Sequence, residues 1–207
     1  ANIVTRKTGE FEPVRQKLVR NPIIANAAFS DYIPFILPGG NELTWEDARP
    51  DEKVFVRFYN VSWDFVSTYN LNLAAGRDFS REYPADREKC LINETAVRTF
   101  RWEQPLGKYV LVGDKKVEVV GVIRDYINFS VHNEIEPQLY RLLPDSGKQE
   151  GIYSVRFVPG REQEAREWVT REFEAAFPND AFEFKNIQYR IQNENALKSW
   201  QQLRKMF

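Results

Sequence analysis

Apolar side chains recur along this chain with two different periods, and the changes of period divide it into elements. In "FEPVRQKLVRNP" Phe11, Val14 and Leu18 fall on one helical face, and Asn21-Pro22 ends the helix. "IIANAAFSDYIPF" predicts a strand running into a loop. Residues 38–52, "PGGNELTWEDARPDE", are rich in Pro, Gly and acids and read as a surface loop and a subdomain boundary. "KVFVRFYNV" is a strand of β-branched and aromatic residues. "SWDFVSTYN" predicts a short helix with Ser62 as its N-cap and Phe65 and Tyr69 one turn apart. "LNLAAGRDF" predicts a strand that ends in a turn at Gly76. "KCLI" is a further short strand, and Asn93 follows it as the N-cap of helix "ETAVRTF". A helix this short is marginal alone, so Val97 and Phe100 must dock on a neighbour.

"KYVLV" and "KKVEVVGVI" flank Gly113-Asp114, the Gly-X pair that a two-residue type II′ hairpin prefers. Beyond a polar break at "PDSGKQEG", strand "IYSVRFV" passes through Pro159-Gly160 into an amphipathic helix. Its apolar stripe is Ala165, Trp168, Val169, Phe173, Ala176 and Phe177, with Glu162/Arg166 and Glu167/Arg171 as i,i+4 pairs on the wet side. "AFEFKNI" is the last predicted strand. "ENALKSWQQLRKMF" then has helical spacing with no stop signal, which suggests a segment of a longer protein. Residues 1–52 and 151–190 each offer a long helix with strands, while 53–150 is strand-rich with short helices. The expected fold is α+β, with an outer subdomain built from both ends of the chain and a strand-rich subdomain inserted in the middle.

Charge and composition narrow the function classes. The 29 basic and 30 acidic residues are interspersed and leave a net charge of −1, which favours neither nucleic acid nor an anionic membrane surface. No run approaches the roughly 18 apolar residues of a membrane helix. The single cysteine, Cys90 in "KCLIN", reads as a small buried hydrophobe, and with one histidine the chain offers no Cys/His zinc set. His132, Asp125 and Ser130 are the residue types of a hydrolytic triad, but no G-x-S-x-G elbow accompanies them. Ser130 more simply caps the turn that Pro137 ends. Glu134 with Glu136, and Asp78 with Glu82, lack calcium-loop spacing, and "AAGRDF" lacks the glycine spacing of a nucleotide loop. No catalytic residue, metal ligand or cofactor emerges from these patterns.

In chain order, however, "NVSWDFVSTYNLNLAAGRDFS", "KCLINETAVRTFRWEQPLGKYV" and "VEVVGVIRDYINFSVHNEIEP" resemble the MacB-like periplasmic core domain of FtsX-type ABC transporter permeases, in its Bacteroidetes-like version. The resemblance is carried by Asp64, Phe65, Gly76, Arg77, Asn93, Glu94, Pro105, Gly107, Gly121, Asp125, Ser130 and Pro137. Arg101 departs from it, standing where family members often have glycine, and Tyr126 replaces a commoner Phe. The resemblance implies a non-enzymatic extracytoplasmic domain looped out between two membrane helices of an inner-membrane permease. It implies a discontinuous porter-like subdomain (1–52 plus 151–207) and an inserted sabre-like one (53–150). Its partners would be a separate cytoplasmic ATPase, a second permease copy, an adaptor or outer-membrane protein, and a peptide or lipoprotein substrate. The alternative is a peptide- or lipid-binding module using a groove between the subdomains.

The resemblance also gives the terminal segment a purpose. A stalk carrying Tyr189, Trp200, Leu203 and Phe207, opposite a second one near Ala1–Lys17, would couple the membrane to the domain as a rod of roughly 1.5 Å per residue. Lys198→Pro in the reconstituted permease is then expected to uncouple ATP hydrolysis from transport while the middle subdomain stays folded. Unchanged transport would refute the stalk.

Overall fold

In the computed structural model, which describes residues 2–34, 38–126, 134–144, 149–178 and 184–186, the chain begins with β1 (Asn2–Gly9), α1 (Phe11–Leu18) and β2 (Ile24–Ser30). It continues through β3 (Gly40–Trp45), β4 (Val54–Val61), α2 (Phe65–Tyr69), β5 (Leu73–Gly76), a 3₁₀ turn (Pro84–Glu88), β6 (Lys89–Asn93) and α3 (Glu94–Thr99). β7 (Tyr109–Val112), β8 (Lys115–Ile123), β9 (Gln138–Leu142), β10 (Gln149–Phe157), α4 (Glu162–Ala176) and β11 (Lys185–Asn186) complete it. The α+β class follows the sequence reading.

Hydrogen bonding gathers these strands into two groups. β10 lies between β1 and β2, antiparallel to both, from Gly9↔Gln149 to Asn2↔Arg156 on one side and from Ser30↔Ile152 to Ile24↔Phe157 on the other. β11 adds to the far edge of β1. The second group closes on itself: β3 pairs with β4, β4 with β9, β9 with β6, β6 with β8, β8 with β7, and β7 with β3. The result is a small six-stranded barrel, and β5 extends the edge of β8 beyond β7. Among the described residues the one strand pair joining sheet to barrel is Ser30↔Val61.

Side-chain alternation along the strands feeds three cores. On one face of the sheet, Val14 and Leu18 of α1 and Ala165, Val169 and Phe173 of α4 cover Ala27, Phe29, Tyr153, Val155 and Phe157. Trp168 extends this contact, its Nε1 donating to the Leu18 carbonyl at 3.1 Å. Inside the barrel, Leu43, Val56, Phe58, Cys90, Ile92, Val110, Val119, Val122 and Leu139 fill the space, as a barrel of this size requires. Trp45 stacks on Phe100 at 5.0 Å and Phe100 meets Trp102 edge-on at 4.9 Å, so α3 and its exit are tied to the same core. The third core lies between sheet and barrel, around α2.

Several local expectations appear in the structure with their predicted chemistry. Asn93 Oδ1 accepts the Ala96 amide at 3.0 Å as the cap of α3. Gly113 alone in its turn has positive φ, 61°, the type II′ pattern. Arg166 reaches Glu162 at 3.1 Å, whereas Arg171 lies 3.7 Å from Glu172 rather than on Glu167. Other expectations are corrected. Residues 38–52 are not all loop: Gly40–Trp45 is a strand, with Leu43 and Trp45 turned into the barrel. That strand precedes the boundary expected at residue 52, yet it bonds to β4 and β7. The β1 strand, Asn2–Gly9, had no distinguishing pattern and occupies part of the segment read as a stalk. Ser62 does not cap α2. Asp64 holds that position, and Ser62 Oγ accepts the Phe29 amide at 3.0 Å.

A close backbone approach at the barrel wall is Gly76 against Gly121, paired across β5 and β8. A Cβ on Gly121 would stand 2.2 Å from the Arg77 carbonyl oxygen, and one on Gly76, at φ 70°, would stand 2.3 Å from that of Val120. Both obstacles are backbone, so the strands themselves would have to part. Gly121→Ala is expected to lower the unfolding free energy by about 2 kcal/mol, read as a lower urea midpoint. A wild-type midpoint would show that the strands separate freely.

Candidate functional site

Sheet and barrel meet at a junction built from a strand crossing, the helix α2 and an ionic contact. At the β2–β4 crossing the Asp31 amide donates to the Asn60 carbonyl at 3.1 Å and the Ser62 amide to that of Phe29 at 2.7 Å. Asn60 donates its backbone N–H and Nδ2 to the Asp31 carboxylate at 3.0 and 2.5 Å, and its Oδ1 accepts from Arg141 of β9 at 2.6 Å. Burial raises the Asp31 pKa, against these hydrogen bonds.

Beside the crossing, α2 is wedged between the two bodies. Phe65 is 1% exposed, with its ring 5.0 Å from Tyr69 and 6.0 Å from Tyr140 of the barrel wall. Tyr140 lies flat on Tyr59 at 4.8 Å. Its hydroxyl donates to Gln138 Oε1 at 2.5 Å and lies 2.6 Å from the Tyr126 hydroxyl. On the sheet side the Tyr69 hydroxyl bonds to Ser154 Oγ, and Asn26 Nδ2 donates to Ser67 Oγ at 2.8 Å. Burial pushes the Tyr59, Tyr69, Tyr126 and Tyr140 hydroxyls up, so all four stay neutral. Cys90 is likewise buried with its thiol pushed up, which makes it inert packing.

A second contact between the bodies is ionic. In α1, Arg15 Nε and Nη2 donate to the Glu12 carboxylate at 2.9 to 3.1 Å. On the barrel side, Arg81 donates through Nη1 and Nη2 to Asp64 at 3.2 and 2.7 Å. Across the gap, Arg81 reaches Glu12 at 3.1 Å and Arg15 lies 3.4 Å from Asp64. Partial burial pushes the Glu12 carboxyl up, but the Arg15 hydrogen bonds and the charges of Arg15 and Arg81 outweigh it and hold it below its usual value.

The residues that carry the resemblance fall into a few hydrogen-bonded knots. Arg77 grips Asp86, itself 1% exposed, at 2.6 and 2.7 Å, and Ser80 N adds a bond at 3.0 Å, which fixes the loop after Gly76. Besides capping α3, Asn93 Oδ1 accepts the Gln138 amide at 2.9 Å, and its Nδ2 donates to the Glu136 carbonyl at 3.0 Å. Glu94 accepts the Asp125 amide at 2.9 Å. Asp125 in turn accepts from Thr95 N at 3.1 Å, Thr95 Oγ1 at 2.8 Å and Arg98 at 2.7 Å. The Pro137 carbonyl accepts the Arg57 amide at 2.9 Å, and the Arg57 guanidinium pairs with Glu136. Gly107, at φ 81°, donates to Val119 at 2.9 Å just after Pro105, whose carbonyl accepts Lys108 N at 3.3 Å. The Asp125 carboxylate is therefore committed to the start of α3. Ser130 and His132, and the stalk positions Tyr189, Trp200, Leu203 and Phe207, lie outside the described residues.

Arg101, the departure from the family pattern, adopts the left-handed conformation glycine would take, φ 58°, and pairs with Glu52 at 2.7 Å. It lines a surface depression of about 410 Å³ at the barrel end with Asp47, Phe100, Trp102 and Lys108. Both cations there are already paired, Lys108 with Asp47 and Arg101 with Glu52. Residues absent from the sequence reading of the junction are Glu12, Arg15, Asp31, Asn60, Arg81, Asp86 and Tyr140. The contacts that bring them to the junction, such as Glu12 with Arg81, Asp31 with Asn60 and Tyr140 with Phe65, are distant in sequence, so no local spacing marks them.

One member of the junction is poised to titrate. Burial pushes the Asp78 carboxyl up to about 6, the charges of Asp64 at α2 and Asp86 on the 3₁₀ turn add to this, and the Phe79 amide bond and Arg77 oppose it. A carboxylate raised in this way costs stability when ionised. The cost is complete above a pH of about 6 and fades as the pH falls toward the unfolded value. Asp78→Asn, which keeps the acceptor for Phe79, is expected to gain on the order of 2 kcal/mol at neutral pH and to lose the wild-type rise in stability on acidification. Parallel stability–pH curves for the two chains would rule this out.

Comparison with known proteins identifies the overall fold. The periplasmic region of MacB from Actinobacillus actinomycetemcomitans superposes with a TM-score of 0.65 at 14% identity, covering 97% of this chain and 92% of that one. The extracellular domain of the noncanonical ABC-type transporter YknZ from Gram-positive bacteria gives 0.61 at 15% identity, over 90% of this chain and 100% of that one. A domain of a putative permease from Porphyromonas gingivalis gives 0.59 at 20% identity, over 84% and 82%. These identities establish a shared fold. No curated protein matches the chain closely enough to count as a relative. The sequence model of the MacB-like periplasmic core domain matches residues 3–175, and the chain belongs to that family, the periplasmic domain of MacB/FtsX-like ABC transporter permeases.

Proposed function

We propose that this chain is a mechanical element of a bacterial inner-membrane permease, passing ATP-driven movement of the membrane helices to a peptide or lipoprotein substrate or to an envelope partner. The observation that carries this reading is the family match over residues 3–175. ATP hydrolysis belongs, on this reading, to a separate cytoplasmic domain or subunit, and a second permease copy supplies the opposing half of the machine. Among the described residues no helix is long and apolar enough to cross a membrane, in keeping with a domain held outside the bilayer.

The geometry suits transmission better than binding. The space between sheet and barrel, where a groove would lie, is occupied by Phe65, Val66 and Tyr69 of α2. The structure also prompts a revised division, in which the moving unit is the barrel from β3 to β9 and the carrier is the sheet with α1 and α4. A close-packed wedge keeps the two bodies in contact as one is displaced.

The exposed hairpin tip offers a reporter, since buried Cys90 leaves an introduced thiol as the reactive one. In the full permease with its ATPase in nanodiscs, a dye on Asp114→Cys is expected to change its energy transfer to labelled headgroups when ATP is hydrolysed. Constant transfer during measured hydrolysis would reject a moving domain.

A further inference from the structure

The four charges between α1 and the barrel side are arranged in a particular way. The charges form two internal pairs: Glu12 with Arg15 on α1, and Asp64, at the start of the wedge helix α2, with Arg81 of the loop after β5. Two contacts cross, Arg81–Glu12 at 3.1 Å and Arg15–Asp64 at 3.4 Å. Separating the bodies would break the crossing contacts and leave every charge with its own partner. The usual obstacle to opening a partly buried ion pair, a charge stranded without a counter-ion, is therefore absent. The position also allows movement. Glu12 and Arg81 are 41% and 42% exposed, so water can enter. Among the described residues the strands of the two bodies pair only at Ser30↔Val61, flanked by the Asp31–Asn60 and Ser62–Phe29 bonds, a short crossing about which they can turn.

We infer that Glu12, Arg15, Asp64 and Arg81 form a reversible electrostatic latch that holds α1 against the barrel side and opens when the two bodies rotate about the Ser30–Val61 crossing. The hydrophobic wedge of α2 keeps the bodies together while the latch changes state. Arg81 is the positioning residue of the set, because it donates to Asp64 on its own side and to Glu12 on the other. Its guanidinium also lies 5.9 Å from the Trp63 ring, which steadies it at the rim of the gap. The use of this latch in transport rests on the mechanical reading above. The latch itself is a property of this chain and is tested without the permease.

Spin labels at two exposed positions, Asp114→Cys on the barrel and Glu174→Cys on α4, report the distance between the bodies. In Arg81→Glu, Glu12 faces a second acid. In Glu12→Arg, Arg81 faces a second base. Each single variant is expected to raise the ratio of displaced to main distance at least about fivefold over wild type. The double variant Glu12→Arg/Arg81→Glu puts two bases on α1 and two acids opposite them, so all attraction now crosses the gap. It is expected to return the distribution to the closed distance, with strong sensitivity to salt of about 1 M. Its recovery also separates latch opening from misfolding of a single variant. Distances unchanged in both single variants, or a double variant that stays displaced, would overturn the latch. A latch that responds as described in a permease whose Asp114 reporter stays still would leave the latch standing and reject the transport reading.

Discussion

Phe65 stands in the gap between a sheet and a barrel whose strands pair at one position, and its burial is the central apolar contact of their shared core. A ring of this size removed from water contributes about 2–3 kcal/mol. Its neighbours extend the effect, with Tyr69 reaching the sheet through Ser154 and Tyr140 backing it from the barrel wall. Without the wedge the two bodies would be joined by the polar crossing at Ser30↔Val61, the ionic contact of Arg81 with Glu12 and two connecting segments. With it they share one core while each keeps its own, around Phe173 in the sheet layer and Val110 in the barrel.

The polar groups around that core are organised to the same end. Buried hydrogen-bonding groups need partners, and here the partners come from different elements. Asn93 joins β6, α3 and the start of β9 with one amide side chain, and Asp31, Asn60 and Arg141 join β2, β4 and β9. Such groups select one register, since a shifted strand would leave them unpaired. The half-buried quartet between α1 and the loop after β5 obeys a different rule. Its charges are satisfied within each body, so it specifies a relative position without forbidding another. A junction with an apolar wedge, a specific polar crossing and an ionic edge is what the proposed mechanical role asks of this domain.

The local elements were legible because their causes are local. Asn93 caps α3 through an amide three residues away, and Gly113 supplies its own positive φ. The stripe of α4 is visible because Ala165, Val169 and Phe173 follow the helical period. The strand Gly40–Trp45 was hidden by its surroundings: Pro38, Gly39 and the flanking acids describe its ends and wet face, while Leu43 and Trp45 alone face inward. Ser62 was read as a cap from its type and place, but the Phe29 amide, 33 residues away, takes its hydroxyl. For function, the ordered blocks around Asp64, Gly76, Asn93 and Gly121 pointed to the family, which the match over residues 3–175 bears out. The weak triad around Asp125 gained nothing, since that carboxylate holds the start of α3.

By itself, then, the sequence determined the four described helices, the hairpin, the Asn93 cap, the α+β class and the family, because short-range periodicity, turn chemistry and motif order are written along the chain. Only the tertiary structure decided that β4 runs beside β9, that the ring of strands closes, and that Glu12 meets Arg81. These contacts join residues roughly 70 to 80 positions apart, as in Arg57↔Gln138 and Glu12–Arg81. Such contacts are set by which surfaces remain to be buried once the local elements exist, and no spacing in the sequence records that choice.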